Sequence, residues 1–155
     1  MDLDQTLAVL AEFQRAGVHY KIVGGVALNL HGLPRATKDL DVVVAPTEDN
    51  VARLRAALHA VFDDPTIDEI TAVDLAGDYP AIQYVPPTGE FHIDILARLG
   101  DAFGYDDIEI EQRQLEGLTL PVATPRMLYR MKRDTVRLQD KADAERLRKR
   151  FDIEE

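Results

Sequence analysis

The sequence has no cysteine, which excludes disulfides, zinc–thiolate sites and cysteine nucleophiles. It also lacks long apolar runs, since no stretch approaches the roughly 18–20 apolar residues that a membrane helix needs. Residues 1–4 have neither the basic start nor the apolar run of a signal peptide. We therefore expect a cytoplasmic protein that does not associate with membranes.

Basic residues are scarce over most of the chain. Residues 1–125 hold 8 basic and 21 acidic side chains, whereas residues 126–150 hold 10 basic and 4 acidic ones. The net charge of −10 argues against a general nucleic-acid coat, because phosphate neutralisation requires a surplus of Lys and Arg. The concentration of cations near the C-terminus nevertheless favours a local phosphate-binding surface there.

The length of 155 residues and the hydrophobic content of 46% are sufficient for one domain with a real core. Helix-like and strand-like segments are mixed along the chain. We predict the α+β class, with a small mixed β-sheet, flanking helices and a C-terminal helical segment. Residues 1–123 would form the core and residues 124–155 would form C-terminal helices packed on it, within a single domain overall.

Local patterns place the elements. Three- and four-residue apolar spacing predicts a helix over residues 3–16. Thr47 is a predicted N-cap for a helix to about residue 62, and Thr124-Pro125 predicts another helix start. A short helix is predicted at 26–31, and no clear pattern covers 63–80. The predicted strands are apolar, flanked by turn residues, and lie at 19–23, 39–44, 81–85, 90–96, 108–115 and 118–122, with 81–85 and 90–96 forming a hairpin around residues 86–89.

Two acidic residues begin the strand predicted at 39–44. Asp39 and Asp41 are two residues apart, so both carboxylates project from the same face of the strand. Neighbouring carboxylates repel each other unless a cation lies between them, and Mg²⁺ prefers carboxylates together with phosphate oxygens and water. The pair indicates a divalent metal site; the alternative is a solvated strand edge.

A third carboxylate, Asp94, lies mid-strand on the face opposite to Ile93 and Ile95. An isolated ionised Asp among apolar side chains is costly to bury. If its strand lies beside that of Asp39 and Asp41, three carboxylates converge, as a two-metal site for phosphoryl chemistry requires. The alternative is that Asp94 merely faces water.

Gly24 and Gly25 separate the first predicted strand from the short helix at 26–31. Backbone N–H groups at such a position can bind an anion, and the missing side chains let a phosphate approach closely. A tight turn would explain two glycines equally well. The combination with the carboxylates is what favours a phosphate site.

This combination resembles a known signature. Val23-Gly24-Gly25, thirteen further residues and then Asp39-Leu40-Asp41-Val42 are similar to the signature of the nucleotidyltransferase superfamily related to DNA polymerase β. Asp94 stands where those enzymes place a third carboxylate on a later strand. Residues 35–41 resemble the Arg-x-(Ser/Thr/His)-x-Asp-x-Asp form of abortive-infection and toxin-type nucleotidyltransferases and of small lincosamide nucleotidyltransferases.

The resemblance extends into the C-terminal segment and covers about residues 5–150. Lys132 and Asp140-Lys141-Ala142-Asp143 resemble the toxin-type pattern of a helix Lys followed by Lys/Arg-Asp-x-x-Asp. The match is partial, because Gln139 stands where a basic residue commonly precedes that Asp. Asp143 is therefore a candidate supporting residue or acceptor-site base, and an ordinary surface Asp is the alternative.

The resemblance implies the nucleotidyltransferase fold and its reaction. An acceptor hydroxyl or phosphate attacks the α-phosphorus of a nucleoside triphosphate, and pyrophosphate leaves. Asp39 and Asp41 would hold two Mg²⁺ ions on the triphosphate, and Asp94 would complete the site near the acceptor oxygen and help to deprotonate it. Gly24 and Gly25 would bind the β- and γ-phosphates. The cations expected to assist at the phosphates are Lys132, Arg35 and Lys38.

The acceptor stays open at this stage. The basic C-terminal segment favours RNA, whereas the short chain favours a small hydroxyl compound such as an antibiotic. The toxin-type resemblance implies an antitoxin protein as a candidate partner. A catalytically degenerate nucleotide-binding or interaction module is the third alternative, and the presence of all three carboxylates and both glycines argues against it.

Some candidate residues also have alternative interpretations. For Lys132 the alternative is a solvated surface cation, and for Arg35 it is an ion pair with a surface carboxylate. The four histidines have no metal-ligand spacing; His92 alone is expected to face the site, without an assigned role.

Overall fold

The computed structural model describes residues 3–87, 91–99, 102–133, 135 and 137–154. Its helices are α1 (Leu3–Ala16), α2 (Gly24–Leu30), α3 (Glu48–Val61), α4 (Ala72–Ala76), α5 (Pro125–Lys132) and α6 (Leu138–Phe151). Its strands are β1 (Tyr20–Val23), β2 (Asp39–Val44), β3 (Ala81–Tyr84), β4 (His92–Leu96), β5 (Arg98–Leu99), β6 (Phe103–Gly104), β7 (Ile110–Leu115) and β8 (Leu118–Ala123). Short 3-10 helices occupy Pro65–Glu69 and Tyr105–Asp107.

Six strands form one mixed sheet in the order β3-β4-β2-β1-β8-β7. β2 pairs antiparallel with β1 and parallel with β4, and β1 pairs parallel with β8. The antiparallel pair β3–β4 confirms the predicted hairpin, and β7 and β8 form a second antiparallel pair. In the connection between β3 and β4, Thr88 and Gly89 lie outside the described residues. So does Glu90, where the second strand of this hairpin was predicted to begin. The prediction of an α+β protein with a small mixed sheet is confirmed.

The apolar side chains of the sheet and of the helices form one core. α1 packs against α3, and Val9, Leu10 and Phe13 of α1 are completely buried. In the sheet, Leu40 of β2 and Ile93 of β4 are also completely buried. Burying each such side chain contributes about 1.5–3 kcal/mol, so these positions fix which face of β2 and β4 turns inward. The aspartates between them are consequently turned to the other face.

Local capping chemistry sets where the longer helices begin. Thr47 accepts a hydrogen bond from the backbone N–H of Asn50 at the start of α3. Thr124 accepts one from the backbone N–H of Met127, with Pro125 as the first residue of α5. Both predicted helix starts are confirmed, because an N-cap hydroxyl satisfies a helix N–H that otherwise has no partner.

Two segments differ from the sequence-based expectation. α2 begins at Gly24 rather than at residue 26. Gly24 has a φ of +72°, which glycine tolerates without strain and which turns the chain from β1 into the helix. Residues 63–80, which had no clear pattern, form a 3-10 helix and α4, anchored by the buried side chains of Ile67 and Leu75. None of the helices in the described part of the chain combines the length and apolar character needed to cross a bilayer.

Candidate active site

The pairing of β2 with β4 brings the three predicted carboxylates together. In the parallel ladder Asp41 lies directly opposite Asp94, and Asp39 is one pleat away on the same face. One oxygen from each of Asp39, Asp41 and Asp94 lies within 4.8 Å of the others, and all three residues are half-buried. The convergence expected if the two strands were neighbours is therefore present.

The electrostatics of this cluster favour a cation beside the carboxylates. Burial, together with a hydrogen bond to Asp94 and the charges of Asp94 and Asp39, raises the pKa of Asp41 to about 8, against a smaller opposing effect of Lys132. At neutral pH the cluster by itself thus retains a proton. Three closely spaced carboxylate oxygens, with Asp41 protonated at neutral pH in the absence of a cation, fit a hard divalent ion such as Mg²⁺.

Gly24 permits the position of the Asp41 carboxylate. A Cβ atom on Gly24 would lie 2.0 Å from Oδ2 of Asp41, and the φ of +72° would strain any other residue. A Cβ atom on Gly25 would lie 3.0 Å from the side chain of Thr37. Close packing at the N-terminus of α2 thus explains both glycines independently of the phosphate contact that the sequence suggested.

The buried carboxylate of Asp143 joins Lys132 and Arg35 in one network. The side chain of Asp143 is completely buried; its Oδ2 accepts a hydrogen bond from Arg35 and lies 3.3 Å from Lys132 Nζ. Gln139 donates to the other oxygen at 3.0 Å. Asp143 is therefore not the exposed surface residue of the alternative interpretation, and two of the three predicted cations contact it.

Lys132 also contacts Asp140 and influences the carboxylate cluster. Its Nζ donates to Oδ1 of Asp140 at 3.2 Å, and Thr135 donates to the other oxygen at 3.1 Å. Burial raises the pKa of Asp140, but Lys132, Thr135 and Arg137 together outweigh that effect and hold the pKa below its ordinary value. Asp140 is thus an anion that shares the charge of Lys132 with Asp143.

The third predicted cation, Lys38, is placed differently. Its side chain is exposed, and its backbone carbonyl accepts a hydrogen bond from the N–H of His92 at 3.1 Å. Lys38 is thus the exposed member of the three predicted cations, whereas Lys132 and Arg35 are half-buried.

A cavity of about 230 Å³ adjoins the carboxylates. Gly24 and Asp41 lie at its wall, and the C-terminal helices α5 and α6 supply the opposite side. Its apolar lining residues are Val23, Leu96, Leu99, Leu128 and Met131, and its polar ones are Lys132, Thr135, Arg137 and Asp140. Two larger cavities, of about 580 and 670 Å³, contain none of the three carboxylates, so chemistry rather than size assigns the site.

His92 is the site residue to which the sequence assigned no role. Its Nδ1 lies 2.7 Å from Oδ1 of Asp39. The sequence contains a signal for this placement, because His92 and Asp94 are two residues apart on one strand and therefore share a face. What the spacing could not reveal is that Asp39 is its register partner on β2.

Comparisons with known proteins agree with this geometry. A family model described as the nucleotidyl transferase AbiEii toxin of type IV toxin–antitoxin systems matches residues 9–152. No curated protein matches the chain. A Thermotoga maritima protein described as a candidate nucleotidyltransferase is 14% identical, with 97% of this chain and 92% of that chain covered and a TM-score of 0.54. ANT(2'')-Ia, solved in complex with adenylyl-2''-tobramycin, is 13% identical over 96% of this chain and 89% of that chain, with a TM-score of 0.58. At these identities the two structures show a shared fold.

Proposed function

The chain belongs to the AbiEii family of nucleotidyltransferase toxins, and from this membership we propose that it transfers a nucleoside monophosphate from a nucleoside triphosphate to RNA in a Mg²⁺-dependent reaction. The observation that carries the proposal is the convergence of Asp39, Asp41 and Asp94 beside a cavity lined by Lys132. A toxin of this kind would have an antitoxin protein as its partner.

The carboxylates have the leading roles in this proposal. Asp39, Asp41 and Asp94 would hold two Mg²⁺ ions, whose charge would neutralise the triphosphate and favour attack at the α-phosphorus. In the reaction, a bond forms between the acceptor oxygen and the α-phosphorus, and the bond from the α-phosphorus to the β-phosphate oxygen breaks. Pyrophosphate leaves, and Asp94 receives the proton of the acceptor hydroxyl.

The cations and glycines would bind the phosphates. Lys132, with only 12% of its side chain exposed, would shift from its aspartate partners towards the triphosphate, where partial burial strengthens its attraction. Arg35 is held nearby by Asp143. The backbone at Gly24 and Gly25 would approach the β- and γ-phosphates. Lys38 is the most exposed of these candidates and would contact the outer phosphates.

Exposed cations beyond the cavity support RNA as the acceptor. Arg130 on α5, and Arg137 and Lys141 at the start of α6, all have exposed side chains, and Arg137 also lines the cavity. A phosphate backbone leading to the cavity would pass cations on both C-terminal helices. A small acceptor confined to the cavity would make no use of Arg130 and Lys141, which do not line it.

The test is transfer of label from each of four α-³²P nucleoside triphosphates to a pool of total RNA, with Mg²⁺ present. We expect label in RNA with the wild-type chain and none with Asp41→Asn. EDTA should abolish labelling as well. Absence of label in RNA with all four nucleotides would refute the proposed acceptor.

A small-molecule acceptor is the second candidate, favoured by the shared fold with ANT(2'')-Ia and by the modest size of the cavity. The same reactions run with aminoglycosides and lincosamides in place of RNA distinguish the two. Label in an antibiotic but not in RNA would select this candidate. Label in no acceptor, together with measurable nucleotide binding, would identify a catalytically degenerate nucleotide-binding module.

A further inference from the structure

The register of β2 and β4 places two pairs of polar side chains side by side on one face. Asp41 lies opposite Asp94, and Asp39 lies opposite His92. In the first pair a carboxylate oxygen of each residue lies within 4.8 Å of the other. In the second pair Nδ1 of His92 lies 2.7 Å from Oδ1 of Asp39. Each carboxylate of the cluster thus has a defined neighbour across the ladder.

The chemistry of the second pair identifies the donor atom of the imidazole. An ionised carboxylate can only accept hydrogen bonds, so Nδ1 of His92 must be the donor. The imidazole therefore occupies one oxygen of Asp39 and leaves the other oxygen available. In metal sites, a hydrogen bond of this kind orients the ligand and tunes its affinity for the ion.

The backbone on both sides of this pair is already fixed. Thr37 and Asp39 exchange hydrogen bonds of 3.1 and 3.2 Å, and the N–H of His92 donates to the carbonyl of Lys38 at 3.1 Å. The Asp39 side chain itself is 37% exposed, so packing alone does not hold its carboxylate in one rotamer. The contact with His92 supplies that restraint.

We infer that His92 is a positioning residue, which donates its Nδ1–H to one oxygen of Asp39 and thereby turns the other oxygen towards the metal ion. The inference rests on the proposed function, because it takes Asp39 to be a metal ligand. His92 belongs neither to the carboxylate signature nor to the glycine pair, so this role is additional to theirs.

The test compares three variants of the full chain by calorimetric titration of Mn²⁺ into metal-free protein. His92→Ala removes the donor, whereas His92→Asn keeps an N–H donor at nearly the position of Nδ1. His59→Ala is the matched control, since His59 makes a similar contact of 2.8 Å to Asp68 on the surface. Circular dichroism and urea titration establish that each variant is folded.

We expect His92→Ala to weaken Mn²⁺ binding about 10- to 100-fold, and His92→Asn to bind more nearly as the wild type does. His59→Ala should leave the affinity unchanged. In the transfer assay, His92→Ala should require a correspondingly higher Mg²⁺ concentration. Rescue by Asn separates positioning through Nδ1 from a general structural role of the ring.

Two results would overturn the inference. One is wild-type affinity in His92→Ala, and the other is an Asn variant as weak as the Ala variant, which would point to Nε2 as the working atom. If the wild type binds no Mn²⁺, the metal assignment fails and the inference with it. If Mn²⁺ binding depends on His92 but no nucleotide is transferred, the proposed reaction fails while the inference stands.

Discussion

Replacing Asp41 by Asn should stabilise the metal-free protein at alkaline pH, although it removes a proposed metal ligand. Asp41 lies among two other carboxylates, and its pKa is raised from 3.8 to about 8, chiefly by burial and then by Asp94 and Asp39. Ionising it in the folded protein therefore costs free energy. Asn keeps the shape of the side chain and cannot ionise, so that cost disappears.

The sign and the size follow from proton linkage. A raised carboxyl pKa means that the folded state binds the proton more tightly than the unfolded state. That stability is complete below about pH 4 and is lost as the pH rises to about 8. A tenfold change in proton affinity corresponds to about 1.4 kcal/mol. The shift of the pKa from 3.8 to about 8 therefore limits the free energy of unfolding that is lost on ionising Asp41 to about 6 kcal/mol. Solvent at the half-buried cluster reduces this energy. We therefore expect the free energy of unfolding of Asp41→Asn, relative to that of the wild type, to rise by about 2–3 kcal/mol between pH 5 and pH 8.5.

The assay is urea unfolding in EDTA at pH 5, 7 and 8.5, with the free energy of unfolding obtained by linear extrapolation. Asp78→Asn is the control, because Asp78 is exposed. Adding Mg²⁺ should stabilise the wild type at pH 8.5 and have little effect on Asp41→Asn, since a ligand stabilises only the state that binds it. A difference between Asp41→Asn and wild type that does not change with pH would refute the reasoning.

Three further predictions concern the surroundings of the site. Gly24→Ala should lower both the free energy of unfolding and the Mn²⁺ affinity. Gly32→Ala, at a φ of +85° with open space around its Cβ, should lower only the free energy of unfolding, by the cost of a left-handed backbone, about 1–2 kcal/mol. Equal Mn²⁺ affinities in the two variants would contradict the contact with Asp41. Asp143→Asn should cost about 3–5 kcal/mol in urea unfolding, because it leaves Lys132 and Arg35 without their buried counter-charge; Glu145→Gln, which alters the exposed pair with Arg148, is the control, and a similar loss in both would argue against the buried network. Thr124→Ala should lower the free energy of unfolding by about 1 kcal/mol through loss of the α5 N-cap, and Thr119→Ala, at an exposed position of β8, should have less effect. No loss in Thr124→Ala would show that Pro125 alone is enough to begin the helix.

Features that depend on neighbouring residues were predictable. The common face of Asp39 and Asp41 follows from the two-residue period of a strand, and the start of α5 follows from Thr124-Pro125. The early start of α2 was missed because glycine normally follows the end of a helix, whereas Gly24 here, at a positive φ, forms the turn from β1 into one. The segment 63–80 was unreadable because short helical turns have weak periodicity.

The sequence by itself determined the chemical class, because the spacing of Gly24-Gly25, Asp39 and Asp41 is a local property of the chain. Only the tertiary structure decided which strand lies beside β2. A register shift of one residue would have turned Asp94 to the apolar face and separated His92 from Asp39. Likewise, Arg35 and Asp143 are 108 residues apart, and no local pattern indicates their contact. Such pairs arise from burial of the whole apolar core, which selects one packing of β2, β4 and the C-terminal helices.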